Sequence, residues 1–257
     1  MEAITRKLRL PSRSAKPRRA GLTVAIDGGL PLNQFCDVVE SHDDIIDFIK
    51  FGWGTALVTS RLADKIEAVR RHGVRCLFGG TLFEKFYARG AFPEYLEYCH
   101  QHQLSTVEVS SGSMCLSPDE ITAVIERCRD QGFCVFCEIG CKDPVRSEAM
   151  TPAEWSSQIR EAISAGADFI VLEAREAGTG GICAPNGQVR GNIFSAILDS
   201  GVPPEQLIFE APQRHQQAYF IRELGSNVNL GNISPNDLIS LETIRQGLRF
   251  ETFDLDE

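Results

Sequence analysis

Short apolar stretches rich in β-branched residues recur along the chain at intervals of about thirty residues. Each is followed by a polar or glycine-containing cluster and then by a segment long enough for a helix. Stretches that are apolar almost throughout are typical of parallel strands buried on both faces by helices. The eight predicted strands cover residues 22–27, 47–51, 74–79, 106–110, 133–139, 168–173, 206–210 and 227–230.

Three helix starts are indicated by a hydroxyl residue, a proline and a carboxylate in fixed order. Ser117, Thr151 and Ser234 are the predicted N-caps, each followed by proline and, two residues later, by Glu or Asp. The hydroxyl accepts a free backbone N–H, proline fits the first helical position, and the carboxylate favours the positive end of the helix.

Eight β/α units in the body of the chain, without a linker-like break, predict one α/β domain, a (β/α)8 TIM barrel. The barrel is expected over residues 21–257, preceded by a basic N-terminal arm over residues 1–20. A doubly wound open sheet is the alternative, but the sequence has neither a dinucleotide-binding nor a P-loop glycine motif.

Charge is unevenly distributed. The 257 residues carry a net charge of −9, yet residues 1–20 hold seven basic side chains and one acidic one. The remaining acidic body argues against nucleic-acid binding, and no apolar run is long enough to span a membrane. The arm could be a transit peptide, a polybasic contact segment or a segment lying on the body. Pro11 and Pro17 favour the last of these because they break an amphipathic helix.

The nine cysteines show no disulfide-framework spacing, which predicts a reducing, cytoplasmic environment. Cys134 and Cys137 form a C-x-x-C sequence, but residues three apart on a strand point to opposite faces. We therefore expect them to be small core residues rather than a redox pair.

Polar residues stand where the predicted strands end, and in a barrel those ends meet at one mouth. Several carboxylates beside lysines suit a hard divalent cation, Mg²⁺, and an anionic substrate. The sequence offers no His/Cys arrangement typical of zinc. The strand-end residues are Asp27, Lys50, Glu108, Glu138, Lys142, Glu173, Arg175, Glu210, Asn229 and Asn232.

A glycine-rich segment, GTGG at 178–181, follows the sixth predicted strand, and Arg190 lies further on. Consecutive backbone N–H groups in such a turn can bind an anion, and arginine would add paired contacts. This predicts a phosphate site at Gly180, Gly181 and Arg190; a loop that is simply mobile is the alternative.

Several strings in register resemble the phosphosulfolactate synthase family, in its bacterial form, over almost the whole body of the chain. They are KFGWGT at 50–55, GGTLFE at 79–84, EARE at 173–176, GTGGIC at 178–183, IFEAP at 208–212, NVNLGNI at 227–233 and LETIRQGLR at 241–249. The resemblance implies a (β/α)8 barrel that adds sulfite to C3 of phosphoenolpyruvate with Mg²⁺. The product would be (2R)-3-phosphosulfolactate, on the way to coenzyme M or sulfolactate.

The resemblance also implies roles for the candidate residues. Lys142 would protonate C2 of the intermediate, while Lys50 and Arg175 would hold phosphate, carboxylate or sulfite. Metal ligands or orienting groups would come from Asp27, Glu108, Glu138 and Glu173. Substrate binding would involve Gly180, Gly181, Arg190, Gln217 and Asn229.

Three positions depart from archaeal members: Cys141, Ser111 and Gly28 stand where those carry lysine, aspartate and lysine. We interpret this as lineage variation. Two other functions stay open, a related lyase with a different nucleophile and a non-catalytic stress-associated barrel. Barrels of this size often associate, so a homo-oligomer is expected.

Overall fold

Eight parallel strands curl into a barrel, confirming the predicted fold class. The computed structural model describes residues 7–255. Hydrogen-bonded neighbours follow the order β3-β2-β1-β8-β7-β6-β5-β4, and β3 lies beside β4. The strands are Thr23–Asp27 (β1), Phe48–Phe51 (β2), Arg75–Phe78 (β3), Thr106–Val109 (β4), Cys134–Ile139 (β5), Phe169–Leu172 (β6), Leu207–Glu210 (β7) and Asn229–Ile233 (β8).

Helices alternate with the strands and cover the outside of the barrel. Their buried faces pack on the outward-facing strand residues and form the main hydrophobic core. The helices are Leu32–His42 (α1), Leu62–Arg71 (α2), Gly80–Tyr87 (α3), Phe92–Gln101 (α4), Pro118–Asp130 (α5), Pro144–Ala149 (α6), Pro152–Ala165 (α7), Gly191–Leu198 (α8), Arg214–Leu224 (α9) and Leu238–Arg245 (α10).

Two of the three predicted helix starts have the expected geometry. Ser117 caps α5 and Thr151 caps α7, and in both the glutamate at the third position returns a bond to the cap. Ser234 instead accepts the N–H of Asn236 at a short 3₁₀ turn, and α10 begins only at Leu238. The predicted cap is therefore present, but the turn that it caps is a 3₁₀ turn rather than the first turn of α10.

Seven strands agree with the predicted ranges to within one residue at each end. The eighth was placed too early, at 227–230, whereas β8 runs from Asn229 to Ile233. Leu230 pairs with Thr23 near the start of β1, so Asn229 lies at the amino end of the barrel. The apolar pattern is misleading here because the strand continues through Gly231 and Asn232.

The described part of the basic arm lies on the amino end of the barrel. Arg13 pairs with Glu242 at 3.0 Å and donates to the side chain of Asn227 at 2.7 Å. Arg18 pairs with Asp47 at 3.2 Å. These contacts attach the arm at the end of the barrel opposite the mouth.

The barrel interior is filled at its amino end by an apolar cluster, here called the lower layer. Phe136 packs edge-on against Phe48 and Phe169, with ring centroids 5.0 and 5.1 Å apart. The lower layer consists of Leu22, Val24, Phe48, Leu77, Phe136, Val171 and Ile208.

Cys134 packs against the lower layer and Cys137 against the outer core, so the two thiols face opposite sides of β5 as expected. All nine cysteines are free, and all lie within the described residues. Among residues 7–255, no helix combines the length and the apolar character that crossing a membrane requires.

Candidate active site at the carboxyl ends of the strands

A charged layer lies directly above the lower layer, on the same strands. Because strand side chains alternate, a residue two positions further along points to the same interior. Phe48 is thus followed by Lys50, Phe136 by Glu138, Val171 by Glu173 and Ile208 by Glu210. The upper layer consists of Lys50, Glu108, Glu138, Glu173 and Glu210, all of them buried.

Lys50 is the central cation of the upper layer. Its Nζ lies 2.8 Å from Oε1 of Glu210 and 3.3 Å from Oε2 of Glu108. Burial alone lowers the pKa of Lys50, but the facing carboxylates of Glu108 and Glu210 outweigh it and raise the pKa. Lys50 is therefore a permanent positive charge at the base of the mouth.

Glu108 connects the upper layer to the start of α3. Its Oε1 accepts the backbone N–H of Gly80 at 2.6 Å. A side chain at position 80 would put a Cβ 2.4 Å from Cβ of Ser110, so glycine is needed for this close approach. Burial raises the pKa of Glu108 to about 7, even though Lys50 acts in the other direction.

Lys142 extends over the upper layer from the segment after β5. Its Nζ lies 3.5 Å from Oε1 of Glu138, 3.4 Å from Oε1 of Glu84 and 3.3 Å from Oγ1 of Thr81. Burial lowers the pKa of Lys142, but the carboxylates of Glu138, Glu173 and Glu84 overcome this and raise it. The side chain is 26% exposed, so its ammonium is both protonated and accessible from the mouth.

Glu138 and Glu173 are neighbouring buried carboxyl groups that affect each other's pKa. Burial and the neighbouring Glu138 raise the pKa of Glu173 well above its ordinary value. For Glu138 burial acts in the same direction, but the ammonium groups of Lys142 and Lys50 lower its pKa to about 2. Of the two carboxyl groups, Glu173 therefore takes up a proton more readily.

The Glu138–Glu173 pair is the part of the mouth that fits a divalent cation. Oε2 of Glu173 is buried and has no hydrogen-bond partner among the described residues. Within residues 7–255, no group of three or more His, Cys, Asp or Glu side chains is arranged to hold a metal. Mg²⁺ commonly uses only one or two protein carboxylates and takes further oxygens from substrate and water, so the pair fits this cation.

Three adjoining cavities open at the mouth. The main cavity, about 280 Å³, is lined by Lys50, Glu108, Glu138, Lys142, Glu173, Arg175, Glu210 and Asn232, among others. The β6-side cavity, about 270 Å³, shares Lys142 and Arg175 and adds Ser147, Thr179, Gly180 and Arg190. The β8-side cavity, about 470 Å³, shares Trp53 and Asn232 and adds Gly28, Gln213, Ser234 and Asn236.

The glycine-rich segment closes the β6-side cavity, but not all of it faces a ligand. The N–H of Gly181 donates to Oγ of Ser147 at 2.8 Å, and a Cβ at this glycine would lie 1.9 Å from the carbonyl oxygen of Glu173. The predicted phosphate contact from Gly181 is therefore wrong. Arg190 lines the cavity, yet its guanidinium donates to the carbonyls of Ser147 and Gly181 at 2.9 and 3.3 Å, which holds the loop to α6.

Asp27 is not at the mouth as a metal ligand. Its Oδ2 pairs with Nζ of Lys65, 2.6 Å away on α2, and its Oδ1 accepts the N–H groups of Gly29 and Leu30, both at 2.8 Å. Both oxygens are occupied and the residue is buried, so the prediction is corrected.

Asn229 and Gln217 also have structural roles. Asn229, at the amino end of β8, accepts the N–H of Leu22 and donates to the carbonyls of Glu205 and Leu207. Gln217 is buried on α9 and donates to the carbonyl of Ala211 at 3.0 Å. Neither is among the residues that line the three cavities, so substrate contact is not supported for either.

Sequence reasoning missed Glu84 and Trp53. It placed Asn232 among the strand-end residues but assigned substrate binding to Asn229 instead. Glu84 lies on α3, and a search restricted to strand ends does not include helix residues. Its carboxylate accepts a hydrogen bond from Oγ of Ser110. Trp53 and Asn232 both have left-handed φ values, 51° and 55°, which are unusual for residues other than glycine. A correct register for β8 would have shown that Asn232, not Asn229, is its mouth-facing asparagine.

The comparison with protein families decides the relationship. Residues 11–251 match the family model described as "(2R)-phospho-3-sulfolactate synthase (ComA)". The chain belongs to this family. The resemblance seen in the sequence strings is therefore confirmed over nearly the whole chain.

Two proteins named phosphosulfolactate synthase are similar to the chain over almost their full length. The chain is 43% identical over 246 residues to the phosphosulfolactate synthase of Bacillus subtilis, covering 96% of this chain and 97% of that protein. It is 42% identical over 236 residues to the phosphosulfolactate synthase of Methanocaldococcus jannaschii, covering 91% and 94%.

Among solved structures, a 3-hexulose-6-phosphate synthase superposes with a TM-score of 0.58. The match covers 87% of this phosphosulfolactate synthase family member and 98% of the other chain, at 13% identity. At that identity the likeness concerns the barrel fold alone.

Proposed function

We propose that the protein is a phosphosulfolactate synthase that adds sulfite to C3 of phosphoenolpyruvate. Family membership supports this, and so does the placement of Lys50, Lys142 and Arg175 around one cavity. Both substrates are anions, and phosphoenolpyruvate, which carries two anionic groups, is held through local positive charge. Arg175 is exposed at the mouth and has no ion pair within residues 7–255, so its guanidinium is available to a substrate.

The reaction can be followed atom by atom. The sulfur lone pair of sulfite forms the C–S bond at C3, and the electrons of the C2=C3 double bond move toward C2 and the substrate carboxylate. A proton then adds to C2. Sulfite in its hydrogen-bearing form supplies the proton overall, so hydrogen sulfite and phosphoenolpyruvate together account for every atom of phosphosulfolactate.

Lys142 is the proposed acid for C2. Its ammonium is 26% exposed and protonated, because its carboxylate neighbours raise its pKa. It lies in the wall shared by the main and β6-side cavities, so it can deliver a proton to one face of a substrate held between them. Delivery from one face would fix the configuration at C2.

Glu173 and Glu138 are the proposed ligands of Mg²⁺. The unpartnered Oε2 of Glu173 and its position beside Glu138 support this assignment, since a cation offsets the repulsion between two buried carboxylates. When bound, Mg²⁺ would supply positive charge against the substrate carboxylate, where negative charge builds. Glu108 is the less suitable ligand because it is already held by Lys50 and Gly80.

The observation that carries the proposal is that the ammonium of Lys142 is accessible from the mouth and lies above the buried carboxylates of the upper layer. The chain in which this occurs belongs to the phosphosulfolactate synthase family. The test is incubation of the purified protein with phosphoenolpyruvate, sulfite and Mg²⁺, followed by mass spectrometry. We expect a product with the mass of phosphosulfolactate, and no product when EDTA replaces Mg²⁺. Product only with another nucleophile would favour the related lyase, and no product with any nucleophile would favour a non-catalytic barrel.

We further propose that the protein works in a reducing compartment, the cytoplasm. The nine free thiols support this, because an oxidising compartment would favour disulfide formation. A thiol titration on protein isolated under non-reducing conditions is expected to find nine free thiols.

A further inference from the structure

Asn232 is a buried amide that no described residue engages. It is 9% exposed, and its Oδ1 is buried without a hydrogen-bond partner among residues 7–255. Its side chain lines both the main cavity and the β8-side cavity. Its left-handed φ of 55° is a conformation that costs an asparagine energy unless the surroundings impose it.

Trp53 shares these features on the neighbouring wall. It also has a left-handed φ, 51°, and it lines the same two cavities. Its ring lies over Gly28, where a Cβ would be 2.5 Å from Cζ3 of the indole. Two of the four left-handed non-glycine residues in the described chain therefore stand at one side of the mouth.

The three cavities differ sharply in charge. The main and β6-side cavities contain the cations Lys50, Lys142, Arg175 and Arg190. The β8-side cavity has uncharged polar groups, and Glu176 is the one charged side chain among its described lining residues. The main cavity also contains five glutamates, but its cations and those of the β6-side cavity are the groups that can hold a substrate with both a phosphate and a carboxylate.

The structure of phosphoenolpyruvate then determines which way its reactive carbon faces. Phosphate and carboxylate are both attached through C2, so the C3 methylene points away from the groups that bind them. With the anionic groups held by Arg175 and Lys50, and with Lys142 close to C2, C3 would face the wall formed by Trp53 and Asn232. A nucleophile that attacks C3 must approach from that side.

We propose that Asn232 is a specificity-determining residue whose unpartnered side-chain amide hydrogen-bonds the incoming hydrogen sulfite, which reaches C3 from the β8-side cavity. This inference rests on the proposed function. The neutral amide orients a small oxyanion without binding it so tightly that its nucleophilic lone pair is blocked. Trp53 provides an apolar surface for the methylene.

The first test is steady-state kinetics with each substrate varied in turn. Asn232→Gly removes the amide and keeps the left-handed backbone, which glycine adopts without strain. We expect the KM for sulfite to rise about tenfold, as for one lost hydrogen bond, while the KM for phosphoenolpyruvate stays unchanged. Asn232→Asp keeps the size but adds negative charge, and its KM for sulfite should rise further.

Gln103→Gly is the matched control. Gln103 also has a left-handed φ, 53°, but it is exposed and precedes β4 at the opposite end of the barrel. This variant should relieve the same backbone strain and leave both KM values unchanged. A change in its kinetics equal to that of Asn232→Gly would overturn the inference, because backbone strain alone would then explain the effect.

The second test uses the intrinsic fluorescence of Trp53, which is 47% exposed, whereas the chain's other tryptophan, Trp155, is fully buried. Titration with phosphoenolpyruvate alone should change the emission equally in wild type and Asn232→Gly, and Trp53→Phe should abolish the change. Weaker phosphoenolpyruvate binding in Asn232→Gly, or an unchanged KM for sulfite, overturns the inference. If wild type makes no phosphosulfolactate at all, it is the proposed function that fails.

Discussion

The lower and upper layers of the barrel are built on the same strands, two residues apart, and have opposite physical characters. The lower layer packs rings and branched chains such as Phe136, Val171 and Ile208 without polar atoms. The upper layer buries Glu138, Glu173 and Glu210 around Lys50. Burial of apolar groups is favourable, whereas a buried ion needs a partner to offset its desolvation.

The difference shows how one fold separates stability from chemistry. A substitution in the lower layer is expected to change the free energy of unfolding and leave the chemical step nearly intact. A substitution in the upper layer changes the charge balance on which substrate binding and proton transfer depend. The following substitutions test that separation, from the largest expected effect to the smallest.

Lys142→Gln should have the largest effect of these substitutions, a decrease in the turnover number. Loss of a general acid typically costs a factor of about 10² to 10⁴, and glutamine keeps much of the side-chain length without a transferable proton. Steady-state turnover with phosphoenolpyruvate, sulfite and Mg²⁺ is the measurement. Lys85→Gln, at an exposed lysine on α3, is the control and should behave as wild type. Near-normal turnover of Lys142→Gln would remove the proposed acid.

Phe136→Ala should give the largest change in stability. Deleting a buried phenylalanine costs about 3–5 kcal/mol, and this ring contacts two others at the centre of the lower layer. Denaturant unfolding at 25 °C measures the loss, and kcat of the folded enzyme should change little. Phe250→Ala, at a side chain that is 95% exposed, is the control. A large loss of kcat with full stability in Phe136→Ala would contradict the separation of the layers.

Lys50→Met tests whether charge balance holds the upper layer together. Removing one partner from a buried ion pair costs about 3–5 kcal/mol, because Glu108 and Glu210 are left facing each other without their cation. The double variant Lys50→Met/Glu210→Gln should recover part of that loss in denaturant unfolding. If the double variant is no more stable than Lys50→Met, the pairing does not stabilise the layer.

Thr151→Ala should have the smallest effect, about 1 kcal/mol, because it removes the N-cap of α7 outside both layers. Thr151→Ser keeps the oxygen and should retain most of the stability. Thermal unfolding measures both variants, and neither should change kcat. A change in kcat would mean that α7 positions the mouth more directly than its contacts indicate.

The sequence was sufficient to predict the barrel and the set of strand-end charges. Lys50, Glu138, Glu173 and Arg175 could be placed together because the carboxyl ends of parallel strands meet at one mouth. The sequence did not allow us to predict ion pairs between elements that are distant in sequence. Nothing in the residues around Asp27 indicates that Lys65, on the helix after β2, pairs with its carboxylate.

Register and backbone contacts were the other limits. The predicted β8 began two residues and ended three residues too early, so substrate binding was assigned to Asn229 rather than Asn232, because both asparagines occur in a similar apolar context. Gly181 was predicted to bind phosphate as part of a glycine turn, but its N–H is used by Ser147, a residue 34 positions earlier. Glu84 reaches the mouth from a helix that begins directly at the end of a strand, which strand-end reasoning alone does not reveal.

The edge between β3 and β4 has a consequence for motion. Within the described chain no backbone ladder joins these two strands, and the hydrogen bond from Gly80 to Glu108 bridges them at the mouth. The barrel is thus a curled sheet whose two end strands, β3 and β4, are connected at the mouth by the carboxylate of Glu108. The same carboxylate pairs with Lys50. An anion that binds Lys50 competes with the Glu108 carboxylate for the ammonium, so we expect occupancy of the mouth to loosen the contact between β3 and β4. The amide hydrogens of β3 and β4 would report that link as a change in their exchange with solvent.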